Sequence, residues 1–353
     1  MHRENCVAQI STVGECKIYL EDFMPYDLML EESNDFDKRI KNAMSFYSWC
    51  ASRMIPPDRT YAKEILNSIG ASQSVTDRDR AQIALSYHCL SLLDVFWVKE
   101  ENEKVRFEDI NLFAHSLSNA LVDIALRGHQ MTVTNAHLLA NDLSTGGLYP
   151  KAWVRKEDGF YLYKDGGRDA VEREVLASKI CRCFDCHQVL YEQGMFENEP
   201  VSISKIMTSQ RYSLVTYAAY DVYCTNRDWN TLDKILELDA PGYYMMNILD
   251  YLVGNTDRHW ENWGLLVDNE TNQPIRLHDL MDFNWAFQQY DTPEGANCLT
   301  VGKRHLSQKD AAVEAVRNIG LNQVRQVEHT VFSGHPAWKA TFEERLRVLR
   351  NAM

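Results

Sequence analysis

Residues 254–262 read Gly254-Asn255-Thr256-Asp257-Arg258-His259-Trp260-Glu261-Asn262. The Gly-Asn pair at the front marks a loop rather than a helix. Asp257 stands five residues ahead of Asn262 in that loop. A carboxylate there would accept the proton of an attacking hydroxyl and orient it in line. An amide oxygen would ligate Mg²⁺ without adding a full negative charge. An Asp and an Asn at this spacing are common by chance, so the reading turns on what surrounds them.

Downstream, an apolar run ends in Leu280-Met281-Asp282-Phe283-Asn284. Asp282 supplies a second metal carboxylate after a hairpin, and the Phe behind it favours it over Asp279. Asn284 follows where a glycine would be usual, and Asn tolerates positive φ well enough for the loop to turn there. Upstream, three further parts come in the required order. Ser144-Thr145-Gly146-Gly147 would cover phosphates with backbone N–H groups. Lys164 ends a strand, where it would reach nucleotide phosphates, and Lys151 just after the loop would face the nucleotide too. Glu174 lies in the next helix, ten residues after Lys164, and would hold it by an ion pair. Glu172 is the alternative partner. Each part alone is bland: a lysine at a strand end, a glutamate on a helix surface, a glycine turn. His259 would brace the loop by hydrogen bonds or simply pack, and Trp260 and Trp263 would pack around it.

Together these residues resemble the HipA-like serine/threonine kinases. The family's Asn-x-Asp-x-His-x-x-Asn loop stands at Asn255 to Asn262, and its Asp-Phe metal motif at Leu280-Met281-Asp282-Phe283. Its strand lysine followed by glycines stands at Tyr163-Lys164-Asp165-Gly166-Gly167, and its helix glutamate at Arg173-Glu174-Val175. Leu90 to Trp97 looks like a recurrent segment of Firmicute and phage relatives. The resemblance implies an α+β, bilobal protein-kinase-like fold. A small β-containing N-lobe at about 131–206 and a largely helical C-lobe at about 207–353 would follow a mainly helical N-terminal region, 1–130. It implies ATP and Mg²⁺ as cofactors and a protein Ser/Thr hydroxyl as acceptor. It also implies a separate antitoxin-like, DNA-binding partner, and autophosphorylation of a loop serine, for which Ser144 and Thr145 are the local choices. There is no Gly-x-Gly-x-x-Gly and no Ala-Pro-Glu segment. A small-molecule or peptide natural-product acceptor, or a silent nucleotide-binding scaffold, stays open as the alternative.

The bulk composition sets outer limits. The 353 residues include 45% hydrophobic and 25% charged side chains, an ordinary globular mixture that excludes disorder. A formal net charge of −13 argues against direct nucleic-acid binding by this chain. Nine cysteines at irregular spacing do not form a disulfide framework. Cys181-Arg182-Cys183-Phe184-Asp185-Cys186-His187 invites a zinc reading, but no distant second pair completes it, so free core thiols are expected. Met1 to Leu20 lacks a basic segment followed by an apolar run, and Ile83 to Val98 is too short and polar to span a bilayer. A cytoplasmic protein is expected, with no membrane segment.

Periodicity fills in the rest. Residues 1–20 alternate weakly, as a small hairpin would. Ala81, Ala84 and Tyr87 through Leu93 have helical spacing, so Ile83 to Val98 reads as a buried helix. A second helix is expected over Phe113 to Ile124, capped by Asp109 or Asn111. Two strands, Ala152–Arg155 and Phe160–Lys164, flank a turn, and a helix follows from Arg168. The second half reads as chiefly helical, with two short strands at Leu265–Val267 and Pro274–Leu277. Helical patterns return from Gln308 and from Ala337.

Overall fold

The computed structural model describes residues 1–55, 62, 76–114, 149–288 and 292–353. The Ser144–Gly147 loop, the boundary near residue 130 and most of the expected helix from Phe113 lie outside the described residues. The described chain mixes small sheets with eight α-helices. It divides into two compact units, each built from discontinuous segments.

The first unit comprises Met1–Asp165, Thr208–Ser213 and Asp268–Gln273. Strands β1 (Ala8–Ile10) and β2 (Cys16–Ile18) pair antiparallel, as the alternation predicts. Helix α1 (Phe36–Ser52) starts where the Asp35 side chain accepts the Lys38 N–H, and it buries Trp49, Cys50 and Ala51. Helix α2 (Asp77–Ser86) opens on a reciprocal capping box between Thr76 and Asp79. α2 stops at Ser86, so Ile83 to Val98 is not one helix. His88 and Cys89 turn the chain with φ of 61° and 53°. Leu90, Leu92, Val95 and Trp97 are nonetheless buried, in irregular backbone. That backbone is held by Arg53, which forks onto Asp94 (2.9 and 2.8 Å) and donates to the carbonyls of Cys89 and Phe96. A short α3 (Phe107–Ile110) follows, and Asn111 Oδ1 then accepts the Ala114 N–H. Strands β3 (Lys151–Lys156) and β4 (Gly159–Lys164) form the expected hairpin, with Lys151 opposite Lys164.

The second unit comprises Gly166–Met207, Leu214–Val267 and Pro274–Met353. Helix α4 (Arg168–Cys181) starts four residues after Lys164, the last residue of β4, as the short Lys164 to Glu174 separation demands. Two strands that periodicity did not reveal follow: β5 (Tyr191–Phe196) and β6 (Glu199–Lys205), antiparallel and joined at Glu197-Asn198. Both turn residues have positive φ, 48° and 68°, which the strand twist favours in a two-residue hairpin. Strands β7 (Tyr212–Thr216), β8 (Gly264–Asp268) and β9 (Gln273–Leu277) make a three-stranded sheet with β8 central. Between β7 and β8 run α5 (Tyr217–Thr225) and α6 (Thr231–Val253). α6 bends at Asp239, two residues before Pro241. Its second half, Met245 to Val253, is buried continuously. Helices α7 (Gln308–Ile319) and α8 (Pro336–Ala352) complete the unit.

Candidate functional site

Helix α6 delivers the Asp257 loop, and its end is built to do so. Gly254 adopts left-handed φ and ψ of 62° and 39°, and the Asn255 N–H reaches back to the Asp250 carbonyl (2.9 Å). This is the Schellman closure, which ends a helix in a defined exit direction. A side chain at 254 would also collide with Arg345, whose Nη1 lies 2.5 Å from the place of a Cβ.

Inside the loop the organising residue is Arg258. Its guanidinium forks onto Asp250 (2.8 Å at both oxygens), and Nη1 donates to the carbonyls of Asn262 (3.0 Å) and Met281. Its face lies over the Phe283 ring at 5.1 Å. Arg258 and Asp250 are 3% and 4% exposed, so both charges are desolvated together. Burial works against the arginine charge, but the Asp250 carboxylate and then Asp282 outweigh it and raise its pKa. Asn255 Nδ2 donates to Asp250 as well (3.0 Å). Arg258 therefore binds the loop that carries Asp257 and Asn262 to the residue before Asp282.

Asn262 is buried, and its Nδ2 donates to the Asp257 carbonyl (2.6 Å). That bond fixes the amide so that its carbonyl oxygen is the atom a hard cation would use. The donor set of one amide oxygen and one carboxylate, Asn262 and Asp282, suits Mg²⁺ chemistry. Asp257 and Asp282 are each half-buried. The chain turns at Asp282 itself, with φ of 59°, and Asn284 keeps a negative φ, contrary to the expectation from sequence. Asn284 is buried, and its carbonyl accepts from Arg173 Nε (2.9 Å). The Asp282 N–H donates to the Tyr191 hydroxyl (3.2 Å), so β5 braces the turn. Asp279, the competing carboxylate, pairs with Arg276 at 2.8 Å.

The remaining residues fall as follows. His259 Nδ1 accepts the Glu261 N–H (3.2 Å) within the loop. Trp263 is buried and stacked on Tyr217 (4.5 Å), whereas Trp260 is half-exposed, tilted on the same ring at 5.6 Å. Glu174 is 1% exposed, far from a surface helix residue, and accepts from the Ser202 hydroxyl (2.5 Å). Glu172, its alternative, pairs instead with His335 (3.3 Å). In the first unit, Lys164 is 7% exposed with the Tyr149 ring 5.9 Å from its amine, so it is not a solvated strand end. Lys151 sits across the hairpin from it. The Cys181–His187 thiols are free, with Cys186 Sγ donating to the Cys181 carbonyl. Among the described residues no three His, Cys, Asp or Glu side chains cluster to hold a metal, and no helix is long and apolar enough to cross a membrane.

Sequence reading missed Arg258, Asp250 and Ser202. Arg258 was visible as the residue beside Asp257, and Asp250 as an acid in an otherwise apolar helix end. Ser202 lies on a strand whose existence the sequence did not signal.

No family model and no curated protein matches the chain. Among solved structures it is similar to CtkA, a proinflammatory kinase of Helicobacter pylori. Identity is 14% over 59% of this chain and 92% of that one, with a TM-score of 0.47. It is also similar to a chain of the Shewanella oneidensis MR-1 toxin–antitoxin complex of HipA, HipB and operator DNA. There identity is 11% over 87% of this chain and 78% of that one, with a TM-score of 0.47.

Proposed function

We propose that the chain transfers the γ-phosphoryl group of ATP, with Mg²⁺, to a Ser or Thr hydroxyl of a protein. The observation that carries this reading is the Arg258 guanidinium. It joins the carbonyls of Asn262 and Met281 through one desolvated side chain paired with Asp250. Segments that supply a base, an amide ligand and a carboxylate ligand are thereby tied together, as phosphoryl transfer requires. In this reading Asp257 accepts the hydroxyl proton, and Asn262 and Asp282 would hold the metal. The metal, when bound, neutralises charge on the transferring phosphates. His259 braces the loop. Lys151, Lys164, Glu174 and Ser144–Gly147 enter from the sequence, as nucleotide-side residues.

The test is incubation of purified protein with γ-labelled ATP and Mg²⁺, followed by intact mass and site mapping. Wild type gains phosphate or passes it to an added protein acceptor, and Asp257→Ala loses about 10²–10⁴-fold in rate. Asp282→Ala loses transfer as well. Turnover that survives in both variants would remove the reading. The resemblance adds a separate antitoxin-like partner, which co-purification from the source cell with a small DNA-binding protein would reveal.

A further inference from the structure

The chain after the Asp282 turn comes back to the Asp257 loop through residues 292–300. Residues 294–298 lie antiparallel to the start of α7. The Gln308 N–H donates to the Ala296 carbonyl (2.8 Å), Lys309 N–H to Glu294 (3.1 Å) and Cys298 N–H to Leu306 (2.9 Å). The Gln308 carboxamide continues this clasp and extends it. Its Oε1 accepts the Ala296 N–H (3.1 Å), while its Nε2 donates to the Asn255 carbonyl (2.5 Å). Asn255 is wholly buried and Gln308 is 6% exposed, so neither bond is exchanged for water at no cost. Gln308 also lines a small cavity of about 10 Å³, shared with Asn247, Asp250, Thr256, Arg258 and Cys298.

We propose that Gln308 is a positioning residue for the Asn255–Asn262 loop, tying its geometry to the seating of residues 294–298. One planar amide reads both segments, so displacement of either end displaces the other. The proposal rests on the phosphoryl-transfer reading for its effect on rate, but not for the coupling itself.

The experiment compares wild type, Gln308→Met and Gln308→Glu in the full chain, by amide hydrogen exchange and by steady-state transfer from ATP. Gln308→Met keeps the length and loses both bonds. Exchange should rise in residues 255–262 and in 294–298 together. kcat should fall about 10- to 100-fold, with the KM for ATP held within about twofold. Gln308→Glu restores a donor only as the neutral acid, a form burial favours. Its kcat relative to wild type should therefore climb as pH is lowered. If Gln308→Met does not fold, Gly295→Ala probes the same bond from the other side. Gly295 has φ of 70°, and a Cβ there would lie 2.8 Å from Gln308 Oε1. Exchange that rises in one segment alone, or in neither, overturns the coupling whatever the activity. Coupled exchange with no transfer by wild type overturns the kinase reading and leaves the coupling in place. A rise in the KM for ATP equal to the fall in kcat overturns the positioning role.

Discussion

Arg258 forks onto a carboxylate, donates to two carbonyls from different segments and lies on an aromatic face. Lysine has one point charge and no planar fork, so it cannot make this set of bonds. Arg258→Lys should cost about 3–5 kcal/mol, because Asp250 is left buried and only partly compensated. It should also lower phosphoryl transfer by more than tenfold, through the freed Asn262 and Met281 carbonyls. Stability and function separate in a double variant. Asp250→Leu with Arg258→Met removes both buried charges and should regain much of the lost stability. Transfer should stay at least tenfold down, because the two carbonyls are still without their donor. Urea unfolding and the labelled-ATP assay on the same samples check this. A double variant that recovers activity would show that Arg258 serves the fold alone.

At the scale of elements, α6 shows how one break in a helix is used. Asp239 leaves helical geometry, and its Oδ1 accepts the Gly242 N–H (2.9 Å), capping the buried half of the helix. Its Oδ2 accepts the Leu277 N–H at the end of β9 (2.9 Å). The cap fixes where the second half of α6 begins, and hence where Gly254 releases the Asp257 loop. Asp239→Ala should cost about 2–3 kcal/mol, about 1 from the lost cap and the rest from an unpaired Leu277 N–H. Thermal unfolding measures it, and an unchanged melting temperature would mean water replaces both bonds. Pro241 follows the bend, but no local pattern marks Asp239 as the acid that caps it. Elsewhere, elements with a strong local signature were legible: the β3–β4 hairpin around Glu157-Asp158-Gly159, α4 after two glycines, α7 and α8. The β5–β6 pair was not, because Tyr191-Glu192-Gln193-Gly194 carries little apolar alternation and its turn lacks glycine. Ile83 to Val98 misled in the other direction. A short apolar run has the same local pattern in a helix and in irregular buried backbone. Arg53 and Asp94, forty-one residues apart, decide it.

For the whole molecule, the loop motifs of the site were readable because each is contiguous: Asn255 to Asn262, and Leu280 to Phe283. The division into units was not, because it is set by returns of the chain that no local pattern marks. Residues 268–273 join the first unit through Asn272, whose Nδ2 donates to the Asp22 and Met24 carbonyls and whose own carbonyl accepts from Tyr26. Among the described residues, each unit also buries one histidine. His2 is 1% exposed between the edges of Phe23 and Phe96, both 5.1 Å away. His278 is 2% exposed, with Nδ1 on the Asp279 carbonyl (2.7 Å) and no partner at Nε2. Burial, before any other cause, lowers both to about 4. In the unfolded chain each would take up a proton near its ordinary value of 6.5. Their stability contribution is therefore complete above that value and is lost as pH falls from there toward about 4. At about pH 5 each histidine should have removed about 2 kcal/mol. Urea unfolding at about pH 7.5 and about pH 5 should show the wild type losing stability. His278→Gln and His2→Gln should each flatten that loss by a comparable amount. The histidines lie in different units, so their effects should add. An equal pH dependence in wild type and both variants would place the acid sensitivity in the carboxylates instead.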